Sequence, residues 1–348
     1  MNLEDLKNKR ILLSGSCGFI GSWIMEELRR QKFKFVLGVD DLSGGFKRNI
    51  TQGTVNKILD LANFIKTENV IAAYKPQIIF HLAASAHEGC SAFFPRHILR
   101  TNYQAFMNVI TPAIKYGLEY FITFSSMAIY GNQTPPFDET FLPKPVDVYG
   151  VNKAAMEDTL RILANIHDFK YTIIRPHNVI GCRQAIEDSR RNVAGIFMNR
   201  IMRGEPIIIY GIDGLQKRSF SGIEYSINCY LKCMELQTNE IINIGGTQPV
   251  TVLDLAHEVI DAMGVKKDYP IKFLPDRPLE VKYAWPTYQK SMDLLGYSEP
   301  VDGWKQTIHK MAAWAKTLGP QEWMPTRLEL INEKTPKTWL PNFDPLKL

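Results

Sequence analysis

The chain has 348 residues, of which 45% are hydrophobic and 22% are charged, so it is long enough for one large or two ordinary domains with buried cores. It holds 41 Lys and Arg residues against 36 Asp and Glu residues, a net charge of +5 without a dense basic stripe, which argues against nucleic-acid binding and agrees with an anionic small-molecule ligand. We expect a cytoplasmic protein that binds no membrane and has neither disulfides nor a metal site, because it shows no leader pattern, no membrane-length apolar run and only five scattered cysteines.

The first half of the chain alternates short β-rich runs with helical patterns. The predicted strands cover residues 10–14, 35–39, 57–59, 77–82, 120–125 and 170–174. The predicted helices, in which apolar residues return at every third and fourth position, cover residues 19–31, 61–74, 97–116 and 149–166. Strict alternation of this kind predicts an α/β protein with a doubly wound parallel sheet and right-handed crossovers.

The regular alternation of predicted strands and helices ends after residue 176, where loops rich in Arg, Asn and Gly begin. The elements predicted beyond this point are a helix at 193–203, a hairpin-like turn across 210–220, a strand at 241–244 and helices at 252–263 and 304–316. We expect a first domain at 1–176, to which about 220–247 return, and a smaller carboxyl-terminal α/β domain from 177–219 and 248–316. Residues 317–348 contain several prolines and tryptophans, and predict an extended strap packed on this chain or on a partner subunit.

A glycine-rich turn links the first predicted strand to the first predicted helix. Its glycines are spaced three residues apart, at Gly15, Gly18 and Gly21. The spacing suits a tight turn in which backbone N–H groups approach a pyrophosphate at a helix N-terminus. Asp40 ends the second strand, where a carboxylate accepts hydrogen bonds from an adenosine ribose and repels a 2′-phosphate. The pattern predicts a dinucleotide site that prefers NAD to NADP, and Asp60 with Leu61 either contacts the adenine or caps a helix.

Four further residues point to proton transfer. Ser125 and Ser126 follow the fifth predicted strand, at the sheet edge where open α/β proteins bind ligands. Tyr149 and Lys153 open the next helix four residues apart, and therefore lie on one face. Since a free tyrosine has a pKa near 10, a tyrosine that acts as a base near pH 7 needs a nearby ammonium to favour the phenolate.

The motifs of the chain together resemble the extended short-chain dehydrogenase/reductases, in the NAD-dependent nucleotide-sugar epimerase/dehydratase branch that includes UDP-glucose 4-epimerases. The matching segments between residues 9 and 316 are GSCGFIGS, VDDLSGG, HLAA, TNYQAFMNVI, SSMAIYG, FDETFLPKPVDVYGVNK, RPHNVIG, GEPIIIYGIDG, QKRSF, NIGG and DRPLE. The resemblance implies a Rossmann domain that holds NAD and a smaller domain that holds a nucleoside-diphosphate sugar, with a UDP-sugar favoured over a GDP-sugar. It also implies a homodimer built on the helices at 97–116 and 149–166.

The resemblance assigns roles to individual residues. Tyr149 matches the catalytic base, Lys153 the residue that binds the nicotinamide ribose and lowers the pKa of the tyrosine, and Ser126 the group that hydrogen-bonds the reacting sugar oxygen. The other residues that it implies for the cofactor are Gly15, Gly18, Phe19, Ile20, Gly21, Asp40, Asp60, Leu61, Ala83, Asn102 and Ser125. Those that it implies for the substrate, besides Ser126, are Asn178, Arg183, Arg218 and Arg277.

The positions after Ser126 bear on the reaction. A 4,6-dehydratase of this family has an acid and a base there, whereas this chain has Met127 and Ala128, which cannot transfer a proton. A 3,5-epimerising relative has a cysteine at the position of Ala128. The sequence therefore favours C4 epimerisation through a transient 4-keto sugar. A C4 dehydrogenase or keto-reductase, a decarboxylase, a 4,6-dehydratase and a non-catalytic NAD-binding scaffold are the alternatives.

The segment after the fourth predicted strand leaves a choice of roles. His81, at the strand end, is interpreted as a packed histidine rather than a catalyst. His87 and Glu88 follow in a loop, where they either contact the sugar or cap and solvate the loop. The sequence does not decide between these two roles.

Overall fold

The fold is seen in a computed structural model that describes residues 3–246, 248–325, 327–340 and 343–347. Its strands are β1 (Arg10–Ser14), β2 (Phe35–Asp40), β3 (Val55–Ile58), β4 (Ile78–His81), β5 (Tyr120–Phe124), β6 (Lys170–His177), β7 (Val179–Ile180), β8 (Ile207–Tyr210), β9 (Lys217–Ser219), β10 (Ser221–Gly222), β11 (Glu240–Gly245), β12 (Pro249–Thr251), β13 (Ile271–Leu274) and β14 (Tyr283–Ala284). Its α-helices are α1 (Leu3–Lys7), α2 (Phe19–Arg30), α3 (Phe64–Tyr74), α4 (Pro95–Ile98), α5 (Ala105–Lys115), α6 (Val148–His167), α7 (Val193–Met202), α8 (Ile223–Leu236), α9 (Val252–Met263), α10 (Gln289–Leu295) and α11 (Gly303–Leu318).

Seven strands form one large sheet in the order β11-β6-β5-β4-β1-β2-β3. Every neighbouring pair is parallel, and Leu12 of β1 registers with Leu37 of β2 on one side and Ile79 of β4 on the other. The strand order reverses beside β1, so the carboxyl ends of β1 and β4 border the crevice where open α/β sheets bind ligands. The predicted α/β fold with a Rossmann-type parallel sheet is confirmed.

Helices cover both faces of this sheet, as the alternating side chains of β1 show. Ile11 and Leu13 join a core with α2 and α8 on one face. Leu12 joins a second core with α3, α5 and α6 on the other face. All three side chains are at most 1% exposed, and burying each one contributes roughly 1.5–3 kcal/mol. Burial on both faces explains why the strand is a continuous apolar run rather than an alternating one.

Two predicted helices begin elsewhere than the sequence pattern indicates. The second begins at Phe64, three residues later than predicted, because the side chain of Asn63 accepts a hydrogen bond from the N–H of Lys66 and caps it. The third begins at Pro95, earlier than predicted, and passes through a π-helical stretch, Leu99–Gln104, before α5. A periodicity of 3.6 residues therefore located both helices but not their ends.

The hairpin-like turn predicted across 210–220 is wrong. Gly211 and Gly214 supply the positive φ angles of a tight turn. The flanking strands do not pair with each other, because β8 pairs with β13 whereas β9 pairs with β12 and β14. Turn residues fix the local backbone, but they do not select the partner of a strand.

The carboxyl-terminal half has its own core between α7, α9 and α11. Phe197, Leu255 and Ile308 lie in it and are at most 1% exposed. The three smaller sheets, β10-β7, β12-β9-β14 and β13-β8, surround this core, while α8 and β11 pack with the large sheet. Among the described helices, none is both long enough and apolar enough to cross a bilayer.

Beyond α11, residues 320–325 and 327–340 run back across the molecule in an extended course, and we call them the strap. Gln321 is tied to α7, since its N–H donates to Oδ1 of Asn199 over 2.9 Å. At the far end, Trp339 is 1% exposed and packs edge-on against Phe93 with ring centroids 5.7 Å apart. Trp339 shares a small core with Phe94 and Tyr149, so the strap ends beside the helix that carries the predicted catalytic pair.

Candidate active site

A cavity of about 930 Å³ opens at the carboxyl edge of the large sheet. Residues that follow β1, β2, β4 and β5 form one side of it, among them Gly15, Asp41, Ala83 and Ser125. Further lining comes from the loop after β7 and from the strap. Side chains from distant parts of the chain therefore meet at the edge where the fold is expected to bind ligands.

The glycine turn forms a backbone cradle at this edge. Gly15 has a φ of 74°, and a Cβ added there would lie 2.9 Å from the N of Ala83. A Cβ on Gly21 would lie 2.0 Å from the carbonyl oxygen of Gly15, so α2 approaches the turn more closely than a side chain allows. Together with Gly18, Phe19 and Ile20, these glycines line the cavity. The cradle fits a dinucleotide whose pyrophosphate lies at the N-terminus of α2.

Asp40 lies at the end of β2, next to this cradle. Its carboxylate accepts hydrogen bonds from the N–H groups of Cys17, over 2.9 Å, and Leu42, over 2.8 Å. Burial raises the pKa of Asp40, and these backbone hydrogen bonds oppose the shift. A carboxylate fixed here suits ribose hydroxyls and disfavours a 2′-phosphate, which agrees with NAD rather than NADP.

Asp60, Leu61 and Asn102 occupy two different settings around the cofactor side. Asp60 and Leu61 line the cavity, and Asp60 accepts a hydrogen bond from the N–H of Ala62 and pairs with Arg100. The helix-capping role that the sequence left open for Asp60 belongs to Asn63, described above. Asn102 lies behind the wall, where its amide bonds both the N–H and the carbonyl of Ser85 and so holds the loop after β4.

Ser126, Tyr149 and Lys153 line the same cavity, beside Ser125. The Oγ of Ser126 accepts a hydrogen bond from the N–H of Ala128 over 3.1 Å. Lys153 is 3% exposed, and its Nζ donates to the carbonyl of Phe124 over 2.6 Å and lies 5.7 Å from the ring centroid of Tyr149. The structure therefore brings the predicted serine, tyrosine and lysine together on one wall.

Burial has the largest effect on the ionisation of this pair. Burial raises the pKa of Tyr149, a hydrogen bond with Ser126 opposes the shift, and the nearby carboxylates of Glu88 and Asp147 add to it. Burial also lowers the pKa of Lys153 to about 8, against the effect of Glu157. With protein groups alone, burial outweighs the attraction between phenolate and ammonium, and Tyr149 is a neutral phenol.

The histidine and glutamate after β4 have separate settings. His87 is held on both ring nitrogens, 2.7 Å from Ser85 Oγ and 2.7 Å from Asp188 Oδ2. Burial lowers the pKa of His87 to about 4, so the ring is neutral, Nε2–H donates to Asp188 and Nδ1 accepts from Ser85. Glu88 lines the cavity, its carboxylate has no hydrogen bond or ion pair within the described chain, and burial together with Asp147 raises its pKa to about 7. Of the two, only Glu88 has a side chain available for a ligand.

His81 lies at the end of β4, beneath the cavity. Its Nδ1 is 2.9 Å from Ser14 Oγ, and its ring packs between Phe106 and Phe121. Burial lowers the pKa of His81 to about 3, so it stays neutral. This setting agrees with the interpretation of a packed strand-end histidine.

The residues expected to contact the diphosphate and sugar occupy different places. Asn178 lines the cavity and donates to the carbonyl of Ser219 over 2.9 Å. Arg183 instead pairs with Glu26 and donates to the carbonyl of Ser22, outside the cavity lining. That guanidinium connects the carboxyl-terminal half to α2.

Arg218 and Arg277 lie just outside the cavity lining, behind the loop after β4. Both contact the carboxylate of Glu280, at 3.4 Å for Arg218 and 2.7 Å for Arg277. The Nη1 of Arg277 lies 3.3 Å from where a Cβ on Gly89 would stand, which places it directly behind the Glu88 loop. Both guanidiniums are close enough to Glu88 to lower its pKa, against the larger effect of burial.

Three arginines that the sequence analysis did not single out do line the cavity: Arg190, Arg191 and Arg327. Arg190 and Arg191 each pair with the buried Asp188, at 3.0 and 3.1 Å. Although burial opposes the charge, the hydrogen bond from His87 and the two arginines hold the pKa of Asp188 well below its usual range. The Arg-Arg pair in a loop rich in polar residues was the available signal, but a sequence alone does not show that this loop reaches the cavity.

Known proteins match this sequence and this fold. A model of the NAD dependent epimerase/dehydratase family matches residues 11–245. UDP-glucose 4-epimerase of Thermotoga maritima, solved with UDP-glucose, is 29% identical with a TM-score of 0.83, covering 89% of this chain and 99% of its own. The Thermus thermophilus UDP-glucose 4-epimerase, solved with NAD, is 25% identical with a TM-score of 0.80, covering 88% and 98%. UDP-glucuronic acid decarboxylase 6 of Arabidopsis thaliana is 27% identical over 84% of this chain and 85% of its own. Since the family model covers well over half of the sequence and the cradle fits its cofactor, this chain belongs to the NAD dependent epimerase/dehydratase family.

Proposed function

We propose that the protein is an NAD-dependent nucleotide-sugar 4-epimerase, with a UDP-sugar as the favoured substrate. The observation that carries the proposal is that Ser126, Tyr149 and Lys153 line one cavity with the glycine cradle. The solved relative that holds UDP-glucose supports the choice of nucleotide. No other cluster in the described chain joins a dinucleotide cradle to a proton-transfer group in this way.

In the proposed reaction, Tyr149 first gives up its own proton and then, as a phenolate, takes the proton of the sugar 4-hydroxyl and later returns it. NAD held by the glycine cradle and Asp40 would supply a reversible hydride acceptor for C4, so that the sugar passes through a 4-keto form. Ser126 hydrogen-bonds the reacting oxygen, and Lys153 supplies a positive charge close to the phenol. If the keto sugar turns over before the hydride returns, the configuration at C4 is inverted.

The neighbours of Ser126 support epimerisation over dehydration. Met127 and Ala128 form the short turn after β5 and are 7% and 4% exposed. A 4,6-dehydratase needs a base that removes the proton from C5, next to the ketone, and an acid that protonates the hydroxyl leaving from C6. Neither a thioether nor a methyl group transfers a proton, so the keto sugar keeps its hydroxyl groups.

The diphosphate is proposed to bind near Arg218 and Arg277. Two guanidiniums on one side of the site suit phosphate oxygens, which they bind in a bidentate manner. Glu280 holds both guanidiniums in position through its carboxylate. Asn178, which lines the cavity, is proposed as a further polar contact to the substrate. Arg183 is committed to Glu26, so we assign it to the contact between the two halves rather than to the substrate.

A uronate decarboxylase is the main alternative, since one of the relatives carries out that reaction. Its substrate brings a carboxylate into the sugar pocket. In this chain the cavity wall presents Glu88, with Asp147 close enough to raise the pKa of Glu88. A charged Glu88 repels a second carboxylate, and this supports a sugar without one.

We also propose a homodimer, as the family resemblance implies. The supporting observation is a set of apolar side chains left exposed on the helices expected at the interface. They are Leu99, Val151, Ile162 and Ile166, each between 52% and 65% exposed. Exposed apolar patches of this kind mark contact surfaces, and sedimentation of the purified protein at several concentrations tests the proposal.

The experiment that tests the reaction is incubation with a panel of UDP-, GDP-, CDP- and dTDP-sugars, with NMR of the products. We expect inversion at C4 without net release of NADH. Accumulation of a 4-keto sugar with free NADH would identify a dehydrogenase, and loss of carbon dioxide from a uronate would identify a decarboxylase. Either result would contradict the proposed reaction.

The same panel tests Tyr149 as the base. Tyr149→Phe removes the phenol oxygen but keeps the ring in its core, so we expect turnover to fall by about 10²–10⁴-fold while NAD stays bound. Tyr283→Phe is the matched control, because Tyr283 is 52% exposed and lies outside the cavity lining. Full activity in Tyr149→Phe would remove the basis of the mechanism.

A further inference from the structure

Two segments that are far apart in the chain line the same cavity as the cradle. One is the loop that runs from Cys182 to Asn192, which we call the bridging loop. The other is the strap. Residues of both segments line the cavity together with Gly18, Asp40 and Asp60 on the cofactor side.

The bridging loop is fixed to the elements that form the cradle. Trp23 of α2 donates its Nε1–H to the carbonyl of Cys182 over 3.1 Å. Asn49 donates its amide to the carbonyl of Arg183 over 3.1 Å. Arg48 pairs with Glu187 at 2.7 Å. These contacts span from α2 to the segment after β2, so the loop crosses the mouth of the cofactor cleft.

The strap continues this crossing and is attached at both sides of the cleft. On one side, the N–H of Met324 donates to the carbonyl of Glu187 in the bridging loop over 2.8 Å. On the other side, the N–H groups of Glu329 and Leu330 both donate to the carbonyl of Phe93, at 2.8 and 2.9 Å. Between these attachments, Met324, Pro325, Arg327, Leu328 and Glu329 line the cavity.

Two features make the second attachment specific. The carboxylate of Glu329 accepts hydrogen bonds from the N–H groups of Arg96 and His97, each at 3.0 Å, and so satisfies the start of the helix at Pro95. Ten residues further on, Trp339 fills a core with Phe93 and Tyr149. A passive tail needs neither a helix-capping carboxylate nor a buried tryptophan.

Arg327 lies on the part of the strap that lines the cavity. Its side chain is exposed and makes no hydrogen bond or ion pair that involves another described residue. Arg190 and Arg191 of the bridging loop line the same cavity. Three guanidiniums therefore line the same cavity as the cradle, whose backbone N–H groups suit a pyrophosphate.

We propose that the strap and the bridging loop form a clasp over bound NAD, so that the cofactor leaves only after the strap detaches from Phe93 and from the helix at Pro95. Arg327 supplies a positive charge on the inner face of the clasp. The inference rests on the NAD dependence of the family and not on the C4 chemistry proposed above. NAD then behaves as a resident group that stays in place through many turnovers.

The test measures release of the cofactor from the full-length protein without any sugar. Protein loaded with NADH is mixed with excess NAD, and the loss of bound-nicotinamide fluorescence gives the dissociation rate. We expect Glu329→Ala to release NADH about tenfold faster, the factor that matches the loss of one helix cap. Trp339→Ala removes the other feature of this second attachment and is expected to have a similar effect, from which Trp339→Phe largely recovers.

Glu322→Ala is the matched control, because Glu322 lies on the strap, is 93% exposed and does not line the cavity. Release from this variant is expected to equal that of the unaltered protein. Circular dichroism verifies that each variant is folded, and Glu329→Ala alone decides the matter if Trp339→Ala fails to fold. Equal release rates for Glu329→Ala, Glu322→Ala and the unaltered protein would overturn the clasp, whatever sugar the enzyme is found to use.

Discussion

The glycine cradle and the strap face the same cavity, yet they are built from different kinds of contact. In the cradle, Gly15 and Gly21 meet through their backbones within a single strand-turn-helix unit. In the strap, Glu329 reaches Arg96 across 233 positions of the chain. The first arrangement depends on missing side chains and the second on particular side chains. A wall of the cavity that is built like the cradle can be recognised from a short residue spacing in the sequence. A wall that is built like the strap has no such spacing.

We expect the largest loss of NAD binding when a side chain is added to the cradle. In Gly21→Ala the new Cβ would stand 2.0 Å from the carbonyl oxygen of Gly15, so the backbone of the turn must shift. Overpacking of this kind costs about 1–3 kcal/mol, which corresponds to roughly a 5- to 150-fold loss of NAD affinity. Isothermal titration with NAD measures the change.

Gly204→Ala separates this effect from the general cost of replacing a glycine. Gly204 also has a positive φ of 71°, but no atom lies within 4 Å of an added Cβ and the residue is outside the cavity lining. We expect a stability loss of about 1 kcal/mol and unchanged NAD binding. Equal NAD affinity in the two alanine variants would show that the cradle does not depend on its close backbone approach.

A second prediction concerns Glu88 and its effect on substrate binding. The pKa of Glu88 is raised to about 7, so the side chain gains its charge as the pH rises from about 6 to about 8. Over this range we expect KM for a UDP-uronate to rise about tenfold relative to KM for the corresponding neutral UDP-sugar, because like charges repel. In Glu88→Gln this ratio stays flat and low.

Steady-state kinetics on both sugars at several pH values measure the ratio. Glu322→Gln serves as the control, since it removes an equal charge from an exposed position. A wild-type ratio that does not change with pH would mean that Glu88 does not face the sugar.

The smallest expected effect is on global stability when the strap is loosened. Trp339→Ala empties a small core at the end of an extended segment. Because such a segment detaches locally, the cost is limited to its own docking, and we expect Tm to fall by about 1–4 °C. Hydrogen exchange by mass spectrometry is expected to show lost protection at 327–340 and retained protection in β1 and β4. Uniform loss of protection would show that the strap and the sheet unfold as one unit.

Much of the sheet and its cofactor edge is predictable because the signals are local. The run Ile11 to Leu13, the glycine turn and the acid at Asp40 follow one another within one strand-helix-strand unit. Parallel register then brings β4 and β5 alongside β1, and with them Ser126. The right-handed crossover between parallel strands leaves few other arrangements of these elements.

The remaining parts depend on contacts that no short spacing encodes. Arg190 and Arg191 resemble any charged pair in a loop until the loop is seen crossing the cleft. The hairpin predicted across 210–220 failed because strand partners are chosen by the whole core. Likewise, the i, i+4 spacing predicts that Tyr149 and Lys153 share one helix face. It does not show how deeply the two side chains are buried, and burial has the largest effect on their pKa values.

The position of the strap along the chain sets an order of events during synthesis. The large sheet is complete once β11 has emerged at Gly245, whereas Trp339 emerges 94 positions later. At roughly 5–20 residues per second, the ribosome leaves an interval on the order of 5–20 s in which the cradle exists without its clasp. A cofactor that is slow to enter the finished protein therefore has an open route into the nascent one.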